Sequence, residues 1–132
     1  MTITKLDPAG LHPVPGAAHL TIGTGTRLVH ISGQTGVDAT GAIVGPTHAE
    51  QAAQALRNLQ IAVQAAGATP GDIARLGLYV VDHSDAAFEA IIGAAVAVFG
   101  EDFPVTASTL IGVASLWQPG LLFEVDAVLV LA

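Results

Sequence analysis

Two short apolar runs near the start, LTIG (20–23) and RLVHIS (27–32), read as strands. Thr24-Gly25-Thr26 between them predicts a tight β-hairpin. The same GTG resembles part of a phosphate-binding loop, but such a loop leads into a helix, and here a second strand follows. That strand halts on Ser32-Gly33-Gln34, a small, flexible, polar triplet in place of a turn. A turn at DATG (38–41) follows and leads into AIVG.

The period then changes from two to about 3.6. Thr47-x-x-Glu50 forms a capping box, and Ala52, Leu56, Leu59, Val63 and Ala66 recur behind it as one apolar stripe. Gly67 is placed to stop this helix, with Pro70 just beyond. A strand is expected at 75–81 (RLGLYVV), after which Asp82-His83-Ser84-Asp85 opens a second helix. Its buried stripe is predicted as Phe88, Ile91, Ile92, Ala95 and Phe99, with Gly100 ending it.

The last third returns to strand spacing. TASTLIGVASL (106–116) is predicted as one strand, WQPG (117–120) as a turn and LLFEVDAVLVL (121–131) as another. In the final strand Phe123, Val125, Ala127, Leu129 and Leu131 share a face suited to packing on helices. The other face carries Leu122, Val128 and Val130 with two acids, Glu124 and Asp126, set among them. The order β-β-α-β-α-β-β predicts an α+β sandwich, two helices on one face of a sheet, in a single domain over 1–132.

Composition adds a partner. Hydrophobic residues make up 52% of the 132-residue chain and charged residues 11%, more apolar side chain than one small surface hides, so burial against other subunits is expected. No run approaches the roughly 18 apolar residues of a membrane helix. The only basic residues are Lys5, Arg27, Arg57 and Arg75 against eleven acids, a formal charge of −7. Nucleic acid and anionic membranes are disfavoured partners, because both are held by clustered Lys and Arg. There are no cysteines, hence no disulfide or thiolate chemistry. MTITKLDPAG lacks the pattern of a signal peptide, so the expected location is the cytoplasm.

SGQTGVDATGAIVG, the helix-and-strand stretch QAAQALRNLQIAVQAAGATPGDIARLGLYVVD, then FP and a closing FEVDAVLV resemble the RidA (YjgF) family over about residues 17–131. The resemblance implies a chorismate-mutase-like sandwich with a mixed sheet, a homotrimer, and a small-molecule pocket at each subunit interface. It implies that the backbone of Gly33 meets the ligand, which a glycine permits because no Cβ intervenes. The family's best-known activity is hydrolysis of enamine and imine intermediates. There an arginine in a P-A-R segment pairs with the substrate carboxylate, and a glutamate on the last strand directs water. Glu124 matches that glutamate. The arginine has no match: FPVTASTLIG runs about two residues longer, which puts Thr106 or Ser108 in its place, on a strand face shared with Leu110. His19 stands where the family often has tyrosine, and Ile92 where it often has asparagine. A charge-assisted hydrogen bond contributes about 1.5–3 kcal/mol, so its loss argues against a typical 2-imino acid deaminase.

The expected site is therefore Glu124 as the catalytic group, with Gly33, Ser108, Leu110, His19 and Ile92 around the ligand, and no metal or cofactor. Gly33 otherwise marks a strand end or bulge, and Glu124 otherwise is an exposed edge carboxylate. Asp126 either raises the Glu124 pKa by like-charge repulsion or pairs structurally. His30 reads as a core or interface histidine. Trp117 reads as a cover for apolar surface or as part of the pocket mouth. The other histidines show no ligand spacing, and Ser32 and Ser108 lack the partners of a serine hydrolase. The reading is a RidA-like hydrolase or deaminase acting on an imine, enamine or related small metabolite. The alternative is a non-catalytic small-molecule-binding trimer, with endoribonuclease activity least favoured.

Overall fold

The computed structural model describes residues 2–132. A four-stranded mixed sheet carries both helices on one face, as the hydrophobic pattern requires. In chain order the elements are β1 (Ile3–Leu6), β2 (Leu20–Gly23), β3 (Arg27–Thr35), α1 (His48–Ala65), β4 (Ile73–Val81), α2 (Asp85–Phe99), β5 (Ala107–Val113) and β6 (Phe123–Leu131). The main sheet runs β3-β6-β4-β5, with β4 and β5 parallel and the other pairs antiparallel.

Three expectations change. The N-terminal segment supplies a strand, β1, that pairs with β2 in a separate two-stranded sheet. The expected hairpin of 20–23 with 27–32 is therefore not formed; β3 pairs with β6 instead. WQPG is a turn as expected, but the strands on either side are shorter than 106–116 and 121–131. The strand before it ends at Val113, and β6 inserts between β3 and β4, away from β5. Local alternation identifies strands, whereas neighbours are chosen by the long-range fit of their apolar faces.

α1 begins with half a capping box. Thr47 Oγ1 accepts from the Glu50 N–H at 3.2 Å, and the same hydroxyl donates to Glu50 Oε1 at 2.8 Å. Gly67 takes φ +73° just past the helix, and the Ala68 N–H closes on the Val63 carbonyl at 3.1 Å. Ser84 caps α2 by accepting from the Ala87 N–H. The core joins Ala52, Leu56, Leu59 and Val63 of α1 to Phe123, Val125, Ala127 and Leu129 of β6. In α2 the buried residues are Ala87, Ile91, Ala94, Ala95 and Phe99. Phe88 and Ile92, expected in that stripe, stay 45% and 38% exposed. Three of these five buried residues are alanines, and α2 packs against α1.

A buried amide fixes the relation of α1 to β6. Gln51 is fully buried; its Nε2 donates to the Gly45 and Gly120 carbonyls at 2.9 and 2.8 Å, and its Oε1 accepts from the Leu122 N–H at 2.7 Å. Asn58, two turns on, donates to the Thr35 and Val37 carbonyls at 3.1 and 2.9 Å. Burying an amide is tolerated because its hydrogen-bonding groups find partners. No helix among the described residues is long and apolar enough to cross a membrane.

Candidate functional site

The Ser32-Gly33-Gln34 triplet does not end its strand. β3 runs on to Thr35, and its register on β6 shifts between Ile31 and Gln34, so Ser32 and Gly33 form a bulge. Past the bulge Thr35 lies opposite Glu124, and on the other side of β6 Glu124 lies opposite Tyr79. The Glu124 carboxylate rests against the α-carbon of Gly33. A Cβ built there would overlap Oε2 and crowd the carboxyl carbon. The bulge and the glycine together give this side chain its place.

Asp126 shares the face. Its Oδ2 accepts from the Tyr79 hydroxyl at 3.0 Å, and both groups occupy space that a side chain at Gly77 would fill. The bond holds the Tyr79 phenol above its ordinary pKa, since the proton it shares with a carboxylate is harder to remove; burial adds to this. Burial raises the Glu124 pKa first, and the nearby Asp126 charge raises it further. A carboxylate with a raised pKa exchanges protons more readily near neutrality, a property useful in acid–base chemistry.

Arginine is present on this face after all. Arg75 on β4 donates through Nη2 to Thr109 Oγ1 at 3.1 Å. It lies four residues from Tyr79 along the strand, about 13 Å at strand rise. Arg27 sits opposite Leu131, seven residues from Glu124 along β6 and so about 23 Å away. The Arg75 charge opposes the other causes at Tyr79 by lowering its pKa, whereas Asp126 is the charge that acts on Glu124. Alternation in RLGLYVV already groups Arg75, Gly77 and Tyr79; their meeting with Glu124 and Asp126 depends on a register the sequence does not display.

Ser108 and Leu110 face the other way. They stand beside Leu76 and Leu78 in the parallel β4–β5 ladder, while Glu124 stands opposite Tyr79. With Ile92 they line a cavity of about 250 Å³ between α2 and the sheet. The sheet thus separates these residues from Gly33 and Glu124 within one chain. Thr106 is buried and donates to the Ile73 carbonyl at 2.9 Å, which leaves Ser108 as the hydroxyl in the cavity. His19 joins neither group. It is exposed, its Nε2 lies 2.6 Å from the His12 carbonyl oxygen, and its N–H donates to Asp7.

His30 is exposed on β3 opposite Val128 rather than buried in the core. Trp117 is 67% exposed and borders a shallow groove with Gly33, Gln34, Gln54 and Asn58. No group of three or more His, Asp or Glu side chains suited to a metal occurs among the described residues.

A family model described as endoribonuclease L-PSP matches residues 16–131. Among solved structures, the chain is similar to YyfB from Yersinia pestis, a protein of unknown function of the conserved Rid family. The two share 35% identity over 99% of this chain and 100% of that one, with a TM-score of 0.90. A member of the YjgF/YER057c/UK114 family from Mycobacterium tuberculosis shares 30% identity over 89% and 88% of the two chains, with a TM-score of 0.63. A Pseudomonas aeruginosa protein of unknown function shares 27% identity over 96% and 91%, also with a TM-score of 0.63. Comparison with curated proteins returns no match.

Proposed function

The chain belongs to the RidA (YjgF) family, and on that premise we propose that it is a homotrimeric hydrolase acting on a small imine or enamine without a carboxylate. One observation carries the reading: Glu124, with a raised pKa, is lodged against a glycine at a strand bulge on the uncovered face of the sheet. That face also bears exposed Leu28 and Ile111. A sheet face of this kind needs a cover, and copies of the chain supply one. Assembly also resolves the separation of the two residue groups. On this reading the Ser108–Leu110–Ile92 cavity of one copy would have to meet the Gly33–Glu124 pair of the next, as the family resemblance implies.

At such a junction water adds to the iminium carbon while the Glu124 carboxylate accepts its proton. Glu124 returns that proton to the amine nitrogen of the carbinolamine, which collapses by breaking its C–N bond to a carbonyl compound and, with the hydroxyl proton, ammonium; iminium plus water balances carbonyl plus ammonium in atoms and charge. Neither Ser108 nor Glu124 offers a cation to a substrate carboxylate, and Arg75 on the Glu124 face is bonded to Thr109, so 2-imino acids should be poor substrates. The charge of −7 and four dispersed basic residues disfavour RNA. A trimer with the same pocket and no turnover is the binding-only alternative.

The test generates an imine in place with an amine oxidase and follows its decay with the protein and with Glu124→Gln. Acceleration lost in the variant, with the oligomer intact, supports the reading. Equal decay with both removes Glu124 from the chemistry.

A further inference from the structure

All four phenylalanines of the chain, Phe88, Phe99, Phe103 and Phe123, line the cavity between α2 and the sheet. Among the described residues Ser108 contributes the single side-chain polar group of the lining, and no charged side chain reaches it. That hydroxyl is already committed as a donor, to the Thr106 carbonyl at 3.0 Å. Its remaining capacity is therefore to accept a hydrogen bond. Aromatic rings pack favourably edge-to-face on other aromatic rings, and an apolar wall without a cation rejects an anion on desolvation grounds. The volume, about 250 Å³, lies below the roughly 300–1,000 Å³ typical of drug-sized ligands and suits a single ring with a short substituent.

We infer that this cavity is a subsite for an aromatic-bodied ligand carrying a hydrogen-bond donor and no carboxylate. The inference deepens the reading above, on which it rests for the reaction but not for the binding. An aryl-substituted iminium fits both: its ring enters the cavity, and its N–H meets the Ser108 oxygen.

The experiment titrates the native protein, in its solution assembly, with benzyl alcohol, benzylamine and benzoate by saturation-transfer NMR. Benzyl alcohol should bind, and benzoate at least tenfold more weakly; benzylamine, a cation at pH 8, should match the alcohol only where the Glu124 carboxylate of another copy faces the cavity. Ile92→Trp should block all three by filling the cavity; Ile92→Phe, a milder change at a partly exposed position, should weaken them if the tryptophan variant misfolds. Ser108→Ala should weaken the alcohol about fivefold, the effect of one neutral hydrogen bond. Benzoate binding as tightly as the alcohol, or alcohol binding indifferent to both Ile92 variants, overturns the inference. The joined site is read separately, by the ratio of amine to alcohol affinity at pH 8. If Glu124→Gln leaves that ratio unchanged, the cavity and Glu124 do not form one site, yet the cavity's ligand class stands.

Discussion

The Glu124 carboxylate occupies the space that a side chain on Gly33 would take. The two residues are nearly a hundred positions apart in sequence, and each is intelligible only through the other. The bulge turns the β3 backbone so that a carboxylate can lie flat on it. Only glycine leaves room for that.

Gly33→Ala should therefore act on Glu124 rather than on the core. The added methyl group displaces the carboxylate, so turnover of an imine substrate should fall tenfold or more. Thermal unfolding should change by only a few degrees. A variant with unaltered kinetics would show that the carboxylate position is unimportant to the reaction.

The raised Glu124 pKa has a defined consequence for stability. An acid whose pKa is higher in the folded state binds more protons there, so folding stability falls as pH rises from the ordinary carboxylate range through the folded pKa. Glu124→Gln removes that loss. Thermal melts should show the variant more stable than the parent at pH 8, and the difference should vanish toward about pH 3, below the unperturbed glutamate value.

Asp126→Asn removes the like charge beside Glu124. The acid limb of the pH–rate profile should move to lower pH, because one of the two causes raising the Glu124 pKa is gone. Tyr79→Phe leaves Asp126 charged but unbonded and should cost about 1 kcal/mol of stability, measured by urea unfolding. It should leave that acid limb close to the parent's.

Gln51→Leu should destabilise more than any of these. It strips partners from the Gly45 and Gly120 carbonyls and the Leu122 N–H at once. Each buried polar group left unpaired costs about 1–3 kcal/mol, so a loss of about 3 kcal/mol or more is expected in denaturant melts.

Light scattering on the eluting protein should give three times the chain mass of 13.3 kDa. A monomer at micromolar concentration would remove the shared site, and with it any meeting of Ser108 and Glu124.

Much of the fold was legible because periodicity is local. The Thr47 cap, the Gly67 stop and the alternating faces of β6 all lie where the pattern puts them. The pairing of strands was not legible: β6 enters between β3 and β4, and β1 takes the partner expected of β3. Of the site, Gly33 and Glu124 come together, while Ser108, Leu110 and Ile92 gather on the other side of the sheet and His19 stands apart. Counting along FPVTASTLIG left Thr106 and Ser108 as alternatives. Thr106 is bonded to the Ile73 carbonyl and Ser108 lines the cavity, and no linear pattern carries that information. Tyr79 and Arg75 went unmarked because their significance lies in what stands across the ladder from them.

The Gln51 amide grips the chain at Gly120 and Leu122, immediately before β6 begins. The start of β6 is therefore tied to α1 rather than to the segment between Val113 and that grip, Trp117 included. Residues can be gained, lost or exchanged in the 114–119 segment while the carboxylate keeps its position, because α1 and not the loop sets where the strand starts. The rim of the groove beside Gly33 is thus free to vary in sequence, and the Glu124 carboxylate stays fixed behind it.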